Sequence, residues 1–227
     1  MVNFEFKDRY NIDDLLEIMR ILRAPGGCPW DIVQTHESIK SSLIEETYET
    51  VEAINKQSAD MLCEELGDVL LQVVFHARIE EESGSFSFDD VCDGICKKLI
   101  VRHPHVFGDV EADTPDEVLT NWDAIKRRTK HQDTFKEAMQ SVPREFPALM
   151  RSVKLQHKAA KAGVGAADKS EALERVRAAA DMEDITAQSV GELLFAVCGL
   201  ADIAKIDAED ALSTANDKFL NEFPDDK

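Results

Sequence analysis

The stretch Ala59–Glu82, ADMLCEELGDVLLQVVFHARIEEE, constrains the fold more than any other, because at helical spacing it is apolar on almost every side. Leu62, Leu66, Val69, Leu70, Leu71, Val73, Val74 and Phe75 leave no broad solvent face, which argues for burial. One narrow polar stripe survives, Glu65, Asp68, Gln72 and His76, flanked by Val69 on one side and by Leu71 and Phe75 on the other. A solvated face would be wider.

Apolar residues recur at three and four residue intervals throughout and nothing alternates as a strand does, so the chain is read as all-α. Helices are expected over Asp13–Arg23, Ser38–Asn55 (with Ser38 or His36 near its start), Ala59–Glu82 and Asp89–Arg102. Pro25, Gly26, Gly27 and Pro29 interrupt after the first, and HPHVFGDVEAD reads as loop. Thr114 as N-cap, Pro115 at the first helical position and Glu117 as capping partner open a helix carrying WDAIKRRTK. Beyond Pro143 and Pro147 a second set is expected over Ala148–Lys161, Ser170–Met182, Ala187–Lys205 and Asp207–Phe223. Gly191–Ala204 lines up with Gly67–Glu80, which suggests an internal duplication.

Charge narrows the choice of partner. Against 26 Lys and Arg stand 45 Asp and Glu, and a net charge of −19 repels phosphate backbones and anionic lipid, so duplex nucleic acid and membrane are not expected partners. Five cysteines without a CxxC pair suggest neither a disulfide framework nor a zinc site, and Cys92 and Cys96 are read as buried free thiols. The N-terminus lacks an export signal and no segment reaches the roughly 20 apolar residues of a membrane span, so a cytoplasmic setting is expected.

A second acidic cluster precedes the first, in LIEETYETVEAI (Leu43–Ile54). Residues three apart lie about 60° apart around a helix, so Glu46 and Glu49 share a face, as do Glu65 and Asp68. Alone, Glu45, Glu49 and Glu52 opposite Leu43, Thr47, Val51 and Ile54 would read as a solvated stripe. The matching pair on the apolar helix, which has no Lys or Arg before Arg78 to neutralise it, points instead to a divalent cation. Four carboxylates are hard oxygen donors suited to Mg²⁺ or Mn²⁺, with substrate phosphates completing the shell, and the absence of ExxH spacing argues against a di-iron bundle.

The pattern EETYE (Glu45–Glu49) followed by ELGD (Glu65–Asp68) resembles the EExxE and ExxD signature of MazG-type nucleoside triphosphate pyrophosphohydrolases. GGCPWDIVQTHESI, RHPHVFGD, NWDAIK and PALMRSVKLQHKAAKAGV are similar to longer motifs of that family, so the likeness covers most of the chain. It implies tandem helical-bundle domains completed by dimerisation and Mg²⁺-dependent hydrolysis of nucleoside triphosphates to monophosphate and pyrophosphate. Residues 1–135 would be the catalytic domain and 136–227 a degenerate copy.

Carried over by position, Glu46, Glu49, Glu65 and Asp68 would bind the metal, and Glu45 would sit outside them or orient the attacking water. Lys97, Lys98, Arg102 and Lys126 would hold the triphosphate, and Trp30, Gln34 and Thr35 would contact base and ribose. His103 and His105 are read as structural. Val101 replaces the first of two arginines usual before HPHVF. The second half has Ser189 and Glu192 in place of ExxD, Arg177 after Glu174 in place of EExxE, and no aromatic in GVGAAD. The other reading of the same features is a non-catalytic, nucleotide-sensing helical dimer.

Overall fold

A computed structural model describes residues 4–112, 114, 115, 117, 118, 121, 122, 125 and 134–223. The chain divides into two compact units, Met1–Val118 and Leu119–Lys227. Among the described residues every regular element is a helix.

The first unit is built from α1 (Ile12–Arg23), α2 (Pro29–Ile32), α3 (His36–Asn55), α4 (Ala59–Ser83), α5 (Phe88–Arg102) and α6 (Pro104–Phe107). Capping fixes where the main helices begin. Asn11 and Asp14 form a reciprocal box at α1, Ser87 and Asp90 one at α5, and Thr35 rather than His36 or Ser38 is the N-cap of α3, exchanging hydrogen bonds with Ser38. Asp14 is buried, and a hydrogen bond from Lys7, then one from the Asn11 backbone, holds its carboxyl below the usual range. Lys56, Gln57 and Ser58 link α3 to α4 in a helical hairpin, Gln57 turning with φ of 53°. Gly84, with φ of 78°, ends α4 by donating to the carbonyls of Glu80 and Glu81.

Met19, Ile39, Val74 and Phe75 form the core, with Leu15, Leu16, Leu71, Ile79 and Phe88 packed on it, so α1, α3, α4 and α5 each contribute. This core lies on the C-terminal half of α4, where Gln72, Val74, Phe75 and Ala77 are buried. The N-terminal half differs from the expected burial: Leu66 is 51% and Leu70 39% exposed, because the packing of α1 and α5 is concentrated further along the helix.

Two single-turn helices replace expected irregular chain. Proline begins both, α2 at Pro29 and α6 at Pro104, with its fixed φ suited to a first helical position. Upstream of α2, a Cβ on Gly27 would fall 2.3 Å from the carbonyl oxygen of Ile21 and 2.4 Å from that of Leu22. Gly27→Ala is therefore expected to destabilise the first unit by about 2 kcal/mol or more, read as a lower denaturant midpoint at unchanged m-value.

The Thr114 and Glu117 capping box is present, with Glu117 N–H donating to Thr114 Oγ1 at 3.3 Å and Thr114 N–H to Glu117 Oε2 at 3.2 Å. The expected continuation through residues 126–130 lies outside the described residues.

The second unit contains α7 (Phe135–Gln140), α8 (Ala148–Lys161), α9 (Lys169–Ala180), α10 (Ala187–Ala204) and α11 (Ala208–Leu220). Here α10 packs on α9 and α8, as α4 packs on α3 and α1 in the first unit. Helix α7 was not expected; Thr134 and Glu137 cap it in the polar stretch before Pro143. Against the expectation drawn from the sequence, α10 is long and apolar enough by length and composition to cross a bilayer. It carries Glu192 and Asp202 and packs within its own unit, where the Gln156 side chain donates to the Phe195 carbonyl at 2.6 Å. The cysteine expectation is also corrected: all five are free, but Cys96 is exposed, Cys92 half-buried, and only Cys198 buried.

Candidate metal centre

The hairpin sets the register of the acidic residues. Glu49 and Glu65 each lie eight residues from Gln57, and Glu46 and Asp68 each lie eleven. An antiparallel pair turning at Gln57 therefore brings Glu49 opposite Glu65 and Glu46 opposite Asp68.

Carboxylate oxygens of Glu46, Glu49 and Glu65 come within 4.8 Å of one another, the one such group of potential ligands among the described residues. Asp68 stands outside this tight trio, yet it is the strongest charged neighbour of Glu46. Glu45, one residue away from the shared face, is exposed.

Burial and then repulsion within the group raise two of its members. Glu46 is pushed above the usual carboxylate range by burial first, then by the charges of Asp68 and Glu49. Glu65 is raised by burial, then by Glu49, Glu64 and Asp68. Glu49 contributes to both shifts, as a neighbouring charge and as a close side-chain oxygen. No cationic side chain enters these balances. A group of carboxylates raised by burial and mutual repulsion, with no cation among its neighbours and only oxygen donors, fits a hard divalent cation.

The other expected residues are placed as follows. Trp30, on α2, is 61% exposed and meets the edge of Phe75 with ring centroids 6.5 Å apart. Gln34 is engaged locally: its Nε2 donates to the Trp30 carbonyl at 2.8 Å and its Oε1 accepts from Ser38 Oγ at 2.7 Å. Thr35 is occupied as the α3 cap. These bonds fix the Trp30 turn against the start of α3.

On α5, Lys97 pairs with Asp93 at 2.5 Å, which raises its pKa, while Lys98 is exposed and Arg102 half-buried in the last turn. Lys126 lies outside the described residues. His103 Nδ1 lies 2.6 Å from the Leu99 carbonyl at the end of α5, a structural bond. In the second unit the positions that echo the acidic motifs serve local ends: Ser189 caps α10, Glu192 accepts from Gln188, and Glu174 and Arg177 are exposed.

One group went unrecognised as a unit in the sequence. His36, His76 and Glu80 form a hydrogen-bonded chain across the hairpin, a link that only the α3–α4 register reveals.

This all-helical first unit, with acidic residues from two adjacent helices converging, has the architecture of a metal-dependent hydrolase of the MazG type. Residues 34–107 match the MazG nucleotide pyrophosphohydrolase domain model. The chain is 42% identical over 224 residues to the nucleoside triphosphate pyrophosphohydrolase of Escherichia coli K12, covering 93% of this chain and 85% of that protein. It is 40% identical over 218 residues to the nucleoside triphosphate pyrophosphohydrolase/pyrophosphatase MazG of Thermotoga maritima, covering 93% and 83%. It is also 44% identical over 216 residues to the Bacillus subtilis protein YabN, of whose length it spans 44%. The chain belongs to the MazG family.

Proposed function

We propose that the first unit hydrolyses nucleoside triphosphates to nucleoside monophosphate and pyrophosphate in an Mg²⁺-dependent reaction, in the service of nucleotide-pool cleaning or regulation. The convergence of Glu46, Glu49 and Glu65, with Asp68 beside Glu46, carries this reading. The names of the Escherichia coli and Thermotoga maritima relatives support the reaction assigned to it. Glu46, Glu49, Glu65 and Asp68 would hold Mg²⁺, with Mn²⁺ as a substitute. A cation held there would supply charge neutralisation at the phosphates and favour attack by water. Glu45, exposed beside the ligands, orients that water in line with the α–β bond.

Lys97, Lys98, Arg102 and Lys126 are the basic groups assigned to the triphosphate, and Trp30 the face on which the base stacks. Gln34 is better assigned to holding the Trp30 turn, given that both ends of its amide are used there. An indole stacks on any base, so Trp30→Ala is expected to raise KM by about tenfold for purine and pyrimidine substrates alike, with kcat little changed. A change confined to one base would assign Trp30 to hydrogen-bonded or shape readout instead.

The working form is a homodimer. Ile44, Tyr48 and Val51 on α3 and Leu66 and Leu70 on α4 are exposed beside the acidic group, a larger apolar face than one chain covers. The second unit, whose acidic positions are used locally, contributes structure or an interface rather than catalysis. Five free cysteines suit a cytoplasmic setting.

Incubation of the protein with each triphosphate and Mg²⁺, with products resolved by anion exchange, tests the reaction. Monophosphate with pyrophosphate is expected. Diphosphate with phosphate would assign a different cleavage, and tight binding without product would assign a sensor.

A further inference from the structure

Trp30 presents an indole that is 61% exposed on a helix of one turn, Pro29–Ile32, which is too short to hold itself in water. So short a helix satisfies little of its own backbone, and the carbonyls at its C-terminal end take donors from elsewhere. Arg23, the last residue of α1, supplies them. Its Nη1 donates to the Asp31 carbonyl at 2.5 Å and to the Gln34 carbonyl at 3.3 Å, gripping the turn just past Trp30.

The remainder of the guanidinium faces the other way. Nε donates to Glu82 Oε1 at 3.0 Å and Nη2 to Glu82 Oε2 at 2.8 Å, a two-pronged pairing with the last turn of α4. Glu82 also accepts from Arg78 Nε at 3.0 Å, and hydrogen bonds from Arg23 come first among the causes that hold its carboxyl below the usual range. The Arg23 side chain is 6% exposed, and its guanidinium carbon stands 5.3 Å from the centre of the Phe75 ring. Phe75 belongs to the core, and its ring meets the indole of Trp30 at 87°. One buried cation therefore supports the turn twice, through two carbonyls directly and through the ring against which Trp30 leans.

Main-chain bonds secure the near end of the same segment, from Gly27 N–H to the Ala24 carbonyl and from Cys28 N–H to the Leu22 carbonyl, each at 2.8 Å. Arg23 secures the far end. Lysine cannot replace it there, because an ammonium has neither the fork to span a carboxylate and two carbonyls nor the plane to lie on a ring.

We propose that Arg23 is the positioning residue of the nucleobase platform: anchored on Glu82, it holds Trp30 in the pose on which a base stacks. The inference rests on the stacking role given to Trp30 above. A platform ordered before substrate arrives spares the binding step the cost of ordering it, so a loosened clamp loses affinity at the base and leaves the chemistry at the phosphates unchanged.

The test combines steady-state kinetics with fluorescence on the full chain. Arg23→Lys is expected to raise KM by about fivefold for purine and pyrimidine triphosphates alike, with kcat within about twofold of wild type. Added to Trp30→Ala, it should raise KM no further, since no platform is left to position. Trp122→Phe leaves Trp30 as the one tryptophan, and in that background Arg23→Lys should lower the time-resolved anisotropy of the indole. Glu82→Gln, which keeps the bonds from Arg23 to the turn and changes a side chain that is 30% exposed, serves if Arg23→Lys does not fold; it should shift KM and anisotropy in the same directions by less. A rise in KM of the same size with and without Trp30, a fall in kcat at constant KM, or an anisotropy unmoved by either variant would overturn the clamp. If Trp30→Ala itself leaves KM unchanged, the stacking reading falls and the role in nucleotide binding with it, while the anisotropy still shows whether Arg23 orders the turn.

Discussion

Glu49→Gln is expected to lower turnover by about a hundredfold or more while making the metal-free protein harder to melt. Glu49 has a carboxylate oxygen within 4.8 Å of those of Glu46 and Glu65 and acts on both, so it stands at the centre of the acidic group. On the proposed reading a neutral amide there would remove an anionic ligand from the cation, and losing one preorganised electrostatic contact in an active site costs on the order of 10²–10³ in rate. The same change relieves repulsion among carboxylates in the absence of metal. Opposite signs for activity and stability mark a site strained for function; a glutamate outside the acidic group would move neither. Initial rates of monophosphate release and thermal melts in chelator provide the two readings. Exposed Glu45, changed to glutamine, should leave the melt unaltered and lower the rate by less.

Mg²⁺ is expected to raise the melting midpoint of the first unit by roughly 10 °C at pH 8 when present at about a hundred times its dissociation constant. Ligand binding at that excess adds about 2.7 kcal/mol, and a domain of this size moves by roughly 4 °C per kcal/mol. The increment should shrink toward pH 5. Glu46 and Glu65 have raised values in the folded state, so the folded protein holds protons that the unfolded chain has released. Their contribution to metal-free stability is therefore fullest below the usual glutamate range and is lost as pH rises through their raised values. Asp14, Glu80 and Glu82 are lowered and act in the opposite sense, so the pH dependence must be read as the difference between wild type and Glu65→Gln. A variant that melts in parallel with wild type across the range, and a midpoint indifferent to Mg²⁺, would contradict the prediction.

Much of this site was legible before any coordinates. Three-residue spacing puts Glu46 with Glu49 and Glu65 with Asp68 on shared faces, and the short link at residues 56–58 then forces the pairs to meet. The narrow stripe through Gln72 and His76 was visible for the same reason. What pattern could not give was long-range pairing. The bridge from His36 to Glu80 depends on the α3–α4 register at their open end, and the engagement of Gln34 by Trp30 and Ser38 depends on a single helical turn that proline and glycine disguised as loop. The apolar run of α4 foretold burial along its whole length, whereas the chain buries its C-terminal half. Periodicity reports which faces require cover and is silent on whether the cover comes from the same chain.

Anomalous diffraction from a crystal of the protein soaked in Mn²⁺ is the most direct measurement of the central claim. The account predicts a manganese peak between α3 and α4, bounded by the carboxylates of Glu46, Glu49, Glu65 and Asp68 at roughly 2.2 Å. Peaks only elsewhere, or none at a concentration that supports turnover, would contradict it.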